Sequence, residues 1–145
     1  MKTGIELLSL EGHGERVRET ADLLLWLKDH GDATPQDLVR VAPGWLIHAF
    51  VPERTAEENE AWLVQWQASS DPLAFERESG WTASNWIHWF SPDNEFWSVE
   101  EVRIDGGGSR LTVQLEHDND PIPFEAVRWL ALVAGLHVGD AFRTT

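Results

Sequence analysis

Residues 81–116, WTASNWIHWFSPDNEFWSVEEVRIDGGGSRLTVQLE, hold four of the chain's nine tryptophans and read as three successive strands divided by turn residues. In 81–90 the alternation sets Trp81, Ala83, Ile87 and Trp89 on one face, and Ser84, Trp86, His88 and Phe90 on the other. Such a strand carries aromatics on both sides. Ser91, Pro92, Asp93 and Asn94 then supply turn chemistry, proline presetting one backbone angle and the two Asx side chains bonding to nearby main chain. A hairpin is expected. In 96–105, Trp97 and Val99 share one phase while Val102 and Ile104 share the other, so the pattern slips at Glu100 and Glu101. A β-bulge at the slip returns both apolar pairs to one face. Beyond Gly106, Gly107 and Gly108, residues 110–116 alternate cleanly, with Leu111, Val113 and Leu115 inward and Arg110, Thr112, Gln114 and Glu116 outward. That is an antiparallel strand with one wet face.

Working outward, the chain is 145 residues long, enough for one domain with a core that needs no covalent staples. It has no cysteine, which excludes a disulfide framework, thiol catalysis and cysteine zinc sites. No secretory leader is visible after Met1, and the longest apolar stretch, 126–136, contains Arg128 and is too short to span a bilayer. A cytoplasmic location is expected. The formal net charge is −14, divided equally between residues 1–72 and 73–145. This field repels nucleic-acid backbones and anionic lipid and attracts cationic partners. The basic residues are mostly arginine and tyrosine is absent, a skew that fits a GC-rich bacterial genome.

Helices are predicted around the sheet. One spans 15–30, with Val17, Ala21, Leu24 and Leu25 as its stripe and Gly31 as a left-handed stop. A second starts after the capping Thr34, with Pro35 in its first turn. Residues 45–51, flanked by Gly44 and Pro52, are apolar throughout and suit a strand covered on both faces. Thr55 and Glu58 have capping-box spacing before a third helix lined by Asn59, Trp62, Leu63 and Trp66. Residues 73–79 read as strand or loop. A last helix, 124–134, is apolar nearly all round and stops at Gly135, and Val138 and Phe142 anchor the tail. The sum is an α+β domain over residues 1–145: an antiparallel sheet of about four or five strands, packed with three or four helices.

Chemistry is sparse. Gly106, Gly107 and Gly108 lack the lysine and helix of a phosphate loop, so they read as a turn. His117, Asp118 and Asp120 match no metal-ligand spacing, and no metal or cofactor is expected. No Gly-x-Ser-x-Gly elbow is present, which argues against an enzyme. The segment from the first helix through Thr34, Pro35, Gln36, Asp37, Leu38 and Val39 resembles the opening of a winged-helix DNA-binding domain. That resemblance implies a basic recognition helix, yet an apolar run and an acidic helix follow, so direct nucleic-acid binding is not expected.

Nine indoles exceed what one core ordinarily uses, and tryptophan concentrates binding energy at interfaces. The expected function is therefore non-enzymatic binding of a basic protein partner, on the logic of inhibitor or immunity proteins. Trp86, Trp89 and Trp97 are the candidate anchors, and Asp93, Glu95, Glu100 and Glu101 the steering acids. Self-association through the same surface is a further expectation. The alternative is a small-molecule or catalytic pocket lined by tryptophan, with His88 or His117 as its polar contact.

Overall fold

The middle of the sheet is made by the first strand of the chain, whose short apolar segment, residues 5–10, does not by itself fix a strand or a helix. In the computed structural model, which describes residues 4–117, 124–139 and 142–144, β1 (Gly4–Glu11) pairs antiparallel with β3 (Arg110–His117), and β3 with β2 (Trp97–Asp105). Two short strands, β4 (His137–Val138) and β5 (Phe142–Thr144), also pair antiparallel with β1. The α+β class stands.

One face of this sheet is the core. Register sets Glu6, Leu8 and Leu10 of β1 opposite Leu115, Val113 and Leu111 of β3, and all six are buried. On β2 the pairing shifts between Val99 and Glu101, and the shift places Val99 opposite Leu115 and Val102 opposite Val113. The bulge forms where the alternation slipped, and it keeps Trp97, Val99, Val102 and Ile104 on one side of the strand, the first two buried, Val102 half-buried and Ile104 exposed near the strand's end. The opposite face is wet: Arg110 and Glu101 are exposed, and Thr112, Gln114 and Glu116 are half-buried. Gly106, Gly107 and Gly108 turn β2 into β3 with φ of 62°, 71° and 96°, a left-handed run open to glycine at little cost.

Helices α1 (Gly14–Asp29) and α7 (Glu125–Val133) cover the inner face, α1 across β2 and β3 and α7 beside β4. From α1 come Val17, Ala21, Leu23, Leu24 and Leu27, and from α7 Ala126, Val127, Leu130 and Ala131. Gly135 ends α7 at φ 75°, as its position indicated. Gly31 takes no left-handed conformation; α1 is capped instead by His30, whose N–H donates to the Leu27 carbonyl. Helix α2 (Pro35–Val41) and helix α4 (Ala56–Ala68) both begin with a full capping box, Thr34 with Asp37 and Thr55 with Glu58.

Three stretches depart from expectation, all toward helix. Residues 45–51 form the one-turn helix α3 (Gly44–Ile47) and a turn, burying only Leu46 fully. Residues 73–79 lie in α5 (Pro72–Ser79), started by the Asp71 side chain accepting from the Ala74 N–H at 3.2 Å. Residues 81–90 hold α6 (Ala83–His88), started by Thr82 accepting from the Asn85 N–H at 3.2 Å. In the last two stretches side-chain capping decided for helix, whereas α3 starts at Pro43 with no side-chain cap. The helical layer therefore has seven α-helices among the described residues. The loop expected after His117 lies at 118–123, outside the described residues, as does the side chain of Phe142.

Two measurements test this account. Deleting Glu100 removes the bulge and leaves Trp97, Val99, Val102 and Ile104 in strict alternation on one face with the pairing to β3 unchanged. The urea midpoint should therefore stay within about 1 kcal/mol of the parent, whereas inserting one alanine after Glu100 puts Val102 and Ile104 out of phase with Trp97 and Val99 and should lower it by more. Glu58 and Asp37 are held below their ordinary carboxylate values by the hydrogen bonds they accept at Thr55 and Thr34. A depressed carboxylate stabilises above its unfolded value and loses that contribution as pH falls through the folded one. The protection of the first-turn amides of α4, measured against their intrinsic exchange rate, should therefore fall as pH drops below the ordinary Glu value of 4.5, and Glu58→Gln should abolish that dependence.

Candidate functional site

The candidate site is built where α6 hands over to β2. Trp89 follows the last residue of α6, and the loop 90–96 is tied down by its own side chains rather than left free. Asn94, 5% exposed, donates from Nδ2 to the Trp89 carbonyl at 2.7 Å and accepts at Oδ1 from the Phe96 N–H at 2.9 Å. Ser91 donates to the His88 carbonyl at 2.7 Å. These bonds fix where the indole of Trp89 emerges.

From there an aromatic chain runs inward. Phe96 is exposed and its ring lies 6.2 Å from that of Trp89. Trp89 stacks on Trp97 at 6.3 Å with planes 7° apart. Phe90 meets Trp97 edge-on at 5.4 Å and Trp86 at 4.7 Å, and Trp86 reaches Phe50 and Trp129. Offset and edge-to-face arrangements of this kind add to simple burial. The chain links surface to core.

Of the three expected anchors, only Trp89 is presented to solvent, and it is half-buried. Trp86 is wholly buried, its N–H donating to the Ala126 carbonyl at 3.0 Å, and Trp97 is 1% exposed. Neither ring can touch a partner directly. The reason is the helix: α6 turns Trp86 and Ile87 inward together, where a strand would have put them on opposite faces. The remaining six indoles, at 26, 45, 62, 66, 81 and 129, are half-buried.

The acids separate likewise. Asp93 and Glu95 are exposed on the loop, and Glu100, the bulge residue, is half-buried beside Trp97 and Val99. Glu101 opposes Gln114 on the wet face and lies 3.4 Å from Arg103. Glu100 and Glu101 thus do not converge. Trp89, Trp97 and Glu100 line one cleft of about 290 Å³, completed by Lys28, Gly31, Phe90 and Pro92. Lys28 and Phe96 were missed by sequence reasoning. The exposed position of Lys28 in the last turn of α1 was the available signal.

A second cleft, of about 240 Å³, opens on the other side of Trp89, between α6 and the α4–α5 pair. His88, one of the polar contacts considered for a pocket, lies here and is exposed; His117, the last residue of β3, is buried with its ring close to Gly4. Asp118 and Asp120, weighed with His117 as metal ligands, lie outside the described residues. No helix among the described residues is long and apolar enough to cross a membrane. No protein family, curated protein or solved structure matches this chain.

The two kinds of indole should separate experimentally. Trp86→Ala leaves a large cavity and an unpaired Ala126 carbonyl, and should cost about 3 to 5 kcal/mol in chemical denaturation. Trp89→Ala should cost less than half as much. Equal losses would mean that Trp89 is structural in the same sense as Trp86.

Proposed function

We propose that the protein is a non-enzymatic binding protein whose acidic cleft at Trp89 receives basic side chains of a protein partner. The observation that carries this reading is the meeting of stacked aromatic rings with a half-buried carboxylate, Glu100, in one cleft, flanked by the exposed acids Asp93 and Glu95. A guanidinium needs a flat π-surface on its face and a carboxylate at its edge, and this cleft offers both. The chain already uses such contacts internally: Arg16 sits 4.8 Å from the Trp45 ring and Arg54 5.2 Å from that of Trp62.

Net charge supports the same partner. At −14, long-range attraction raises the encounter rate with basic proteins, and the cleft supplies short-range selectivity. Inhibitor and immunity proteins work by this division of labour. Lys28 opposes it locally, since a cation at the rim repels an incoming one. Trp89 replaces the three-anchor arrangement, with Trp86 and Trp97 supporting it from behind.

Binding of an arginine-rich peptide, followed by calorimetry at low and high salt, tests the proposal. Trp89→Ala and Glu100→Gln should each weaken it about tenfold, roughly 1.4 kcal/mol. Lys28→Gln should strengthen it. Glu15→Gln, at the far end of α1, removes the same charge and should change affinity little. The reading fails if all four variants bind alike, because general acidity would then be the whole effect.

A further inference from the structure

The second cleft has a chemistry different from the first. Its walls are the indoles of Trp81 and Trp89, and its polar groups are Arg54, Glu76 and Asn85, with Trp62 completing the lining. These groups are positioned in advance. The Trp81 carbonyl accepts from the Val51 N–H at 2.9 Å, and the Trp89 carbonyl from Asn94 at 2.7 Å, so both walls stand on fixed backbone. Glu76 is oriented by the Trp66 N–H at 3.0 Å, and Arg54 by the ring of Trp62. The N–H of Trp62 is shut off from solvent and has no partner among the described residues.

Charge narrows the ligand. Arg54 and Glu76 oppose one another, so the cleft is locally neutral within a strongly acidic chain. A cation meets Arg54, and an anion meets Glu76 and the field of the whole protein. A neutral ring meets neither penalty, and one with an apolar face suits the indoles while its hydroxyl groups suit a guanidinium, a carboxylate and an amide at once. Pyranose sugars have that form, and the cleft's volume suits one ring. We propose that the cleft between α6 and the α4–α5 pair is a binding site for a single neutral sugar ring, stacked on Trp81 or Trp89 and hydrogen-bonded by Arg54, Glu76 and Asn85.

The site does not depend on the basic-partner reading, although Trp89 borders both clefts. Occupancy would bridge α4, which has no buried residue of its own, to the body of the fold. The test uses the intact protein with its tryptophans labelled with nitrogen-15, titrated with the methyl glycosides of glucose, galactose, mannose and N-acetylglucosamine, and with adenosine and arginine amide as non-sugar probes. For at least one glycoside, the indole signals of Trp62 and Trp81 should shift saturably while that of Trp86 stays still, which also reports an intact fold. Asn85→Ala and Glu76→Gln should each weaken that glycoside about fivefold to tenfold. Trp81→Ala should abolish it while leaving arginine-peptide affinity at the first cleft unchanged. The proposal is overturned if no glycoside saturates, if adenosine or arginine amide binds the same residues more tightly, or if the Asn85 and Glu76 variants bind as the parent does.

Discussion

The hydrogen bond from the Trp86 indole to the Ala126 carbonyl is the constraint on which the aromatic half of the molecule depends. A wholly buried indole must satisfy its N–H, and Trp86 does so on the first turn of α7. That bond fixes the distance between α6 and α7, and Phe50, Phe90 and Trp129 fill the space around the ring. With α6 held, the position of Trp89 follows, since it leaves the helix three residues later. Both clefts inherit their common wall from this one anchoring.

The bulge at Glu100 does similar work for the sheet. Because helices cover only one face, every inner position of β2 must be apolar, and a chain with a phase slip satisfies this only by looping out one residue. The looped residue is then free of the ladder's register. Here it is an acid beside Trp97, so the device that preserves the core also delivers the carboxylate of the first cleft. Glu101, one step on, returns to the ladder and is spent on Arg103 at the wet face.

Much of this was legible in the sequence. β3 and the glycine turn could be read because strict alternation over seven residues has one interpretation, and β2 with its bulge because one phase slip between two apolar pairs has one repair. The capping boxes at Thr34 and Thr55 were equally plain, each being a local bond between residues three apart. The failures were 45–51, 73–79 and 81–90, where apolar and aromatic residues are dense enough to fit either period. Thr82 with Asn85, and Asp71 before Pro72, were start signals of the same kind as Thr34 and Thr55, but turn-like surroundings masked them. The candidate site suffered from that error directly: reading 81–90 as a strand distributed its indoles over two faces and made Trp86 look available. Burial of Trp97 was no more legible, since alternation gives a face and not what covers it.

Surplus tryptophan is a weaker argument for recognition than its number implies. Two of the nine rings are fully buried and the other seven are half-buried, so none stands free on the surface. Half-burial is what a ring shows when one face packs against the protein and an edge or the other face borders a cleft. Several of these rings do border clefts: Trp89 the first, Trp62, Trp81 and again Trp89 the second, and Trp26 a third depression with Glu19 and Val41. A flat recognition face would instead need rings projecting into water, held by nothing and costly to solvate. The chain places its indoles so that the apolar area is mostly covered and the remaining edge is directional. Selectivity therefore rests on the few polar groups beside each ring, which differ between the clefts: Glu100 and Lys28 at one, Arg54, Glu76 and Asn85 at the other.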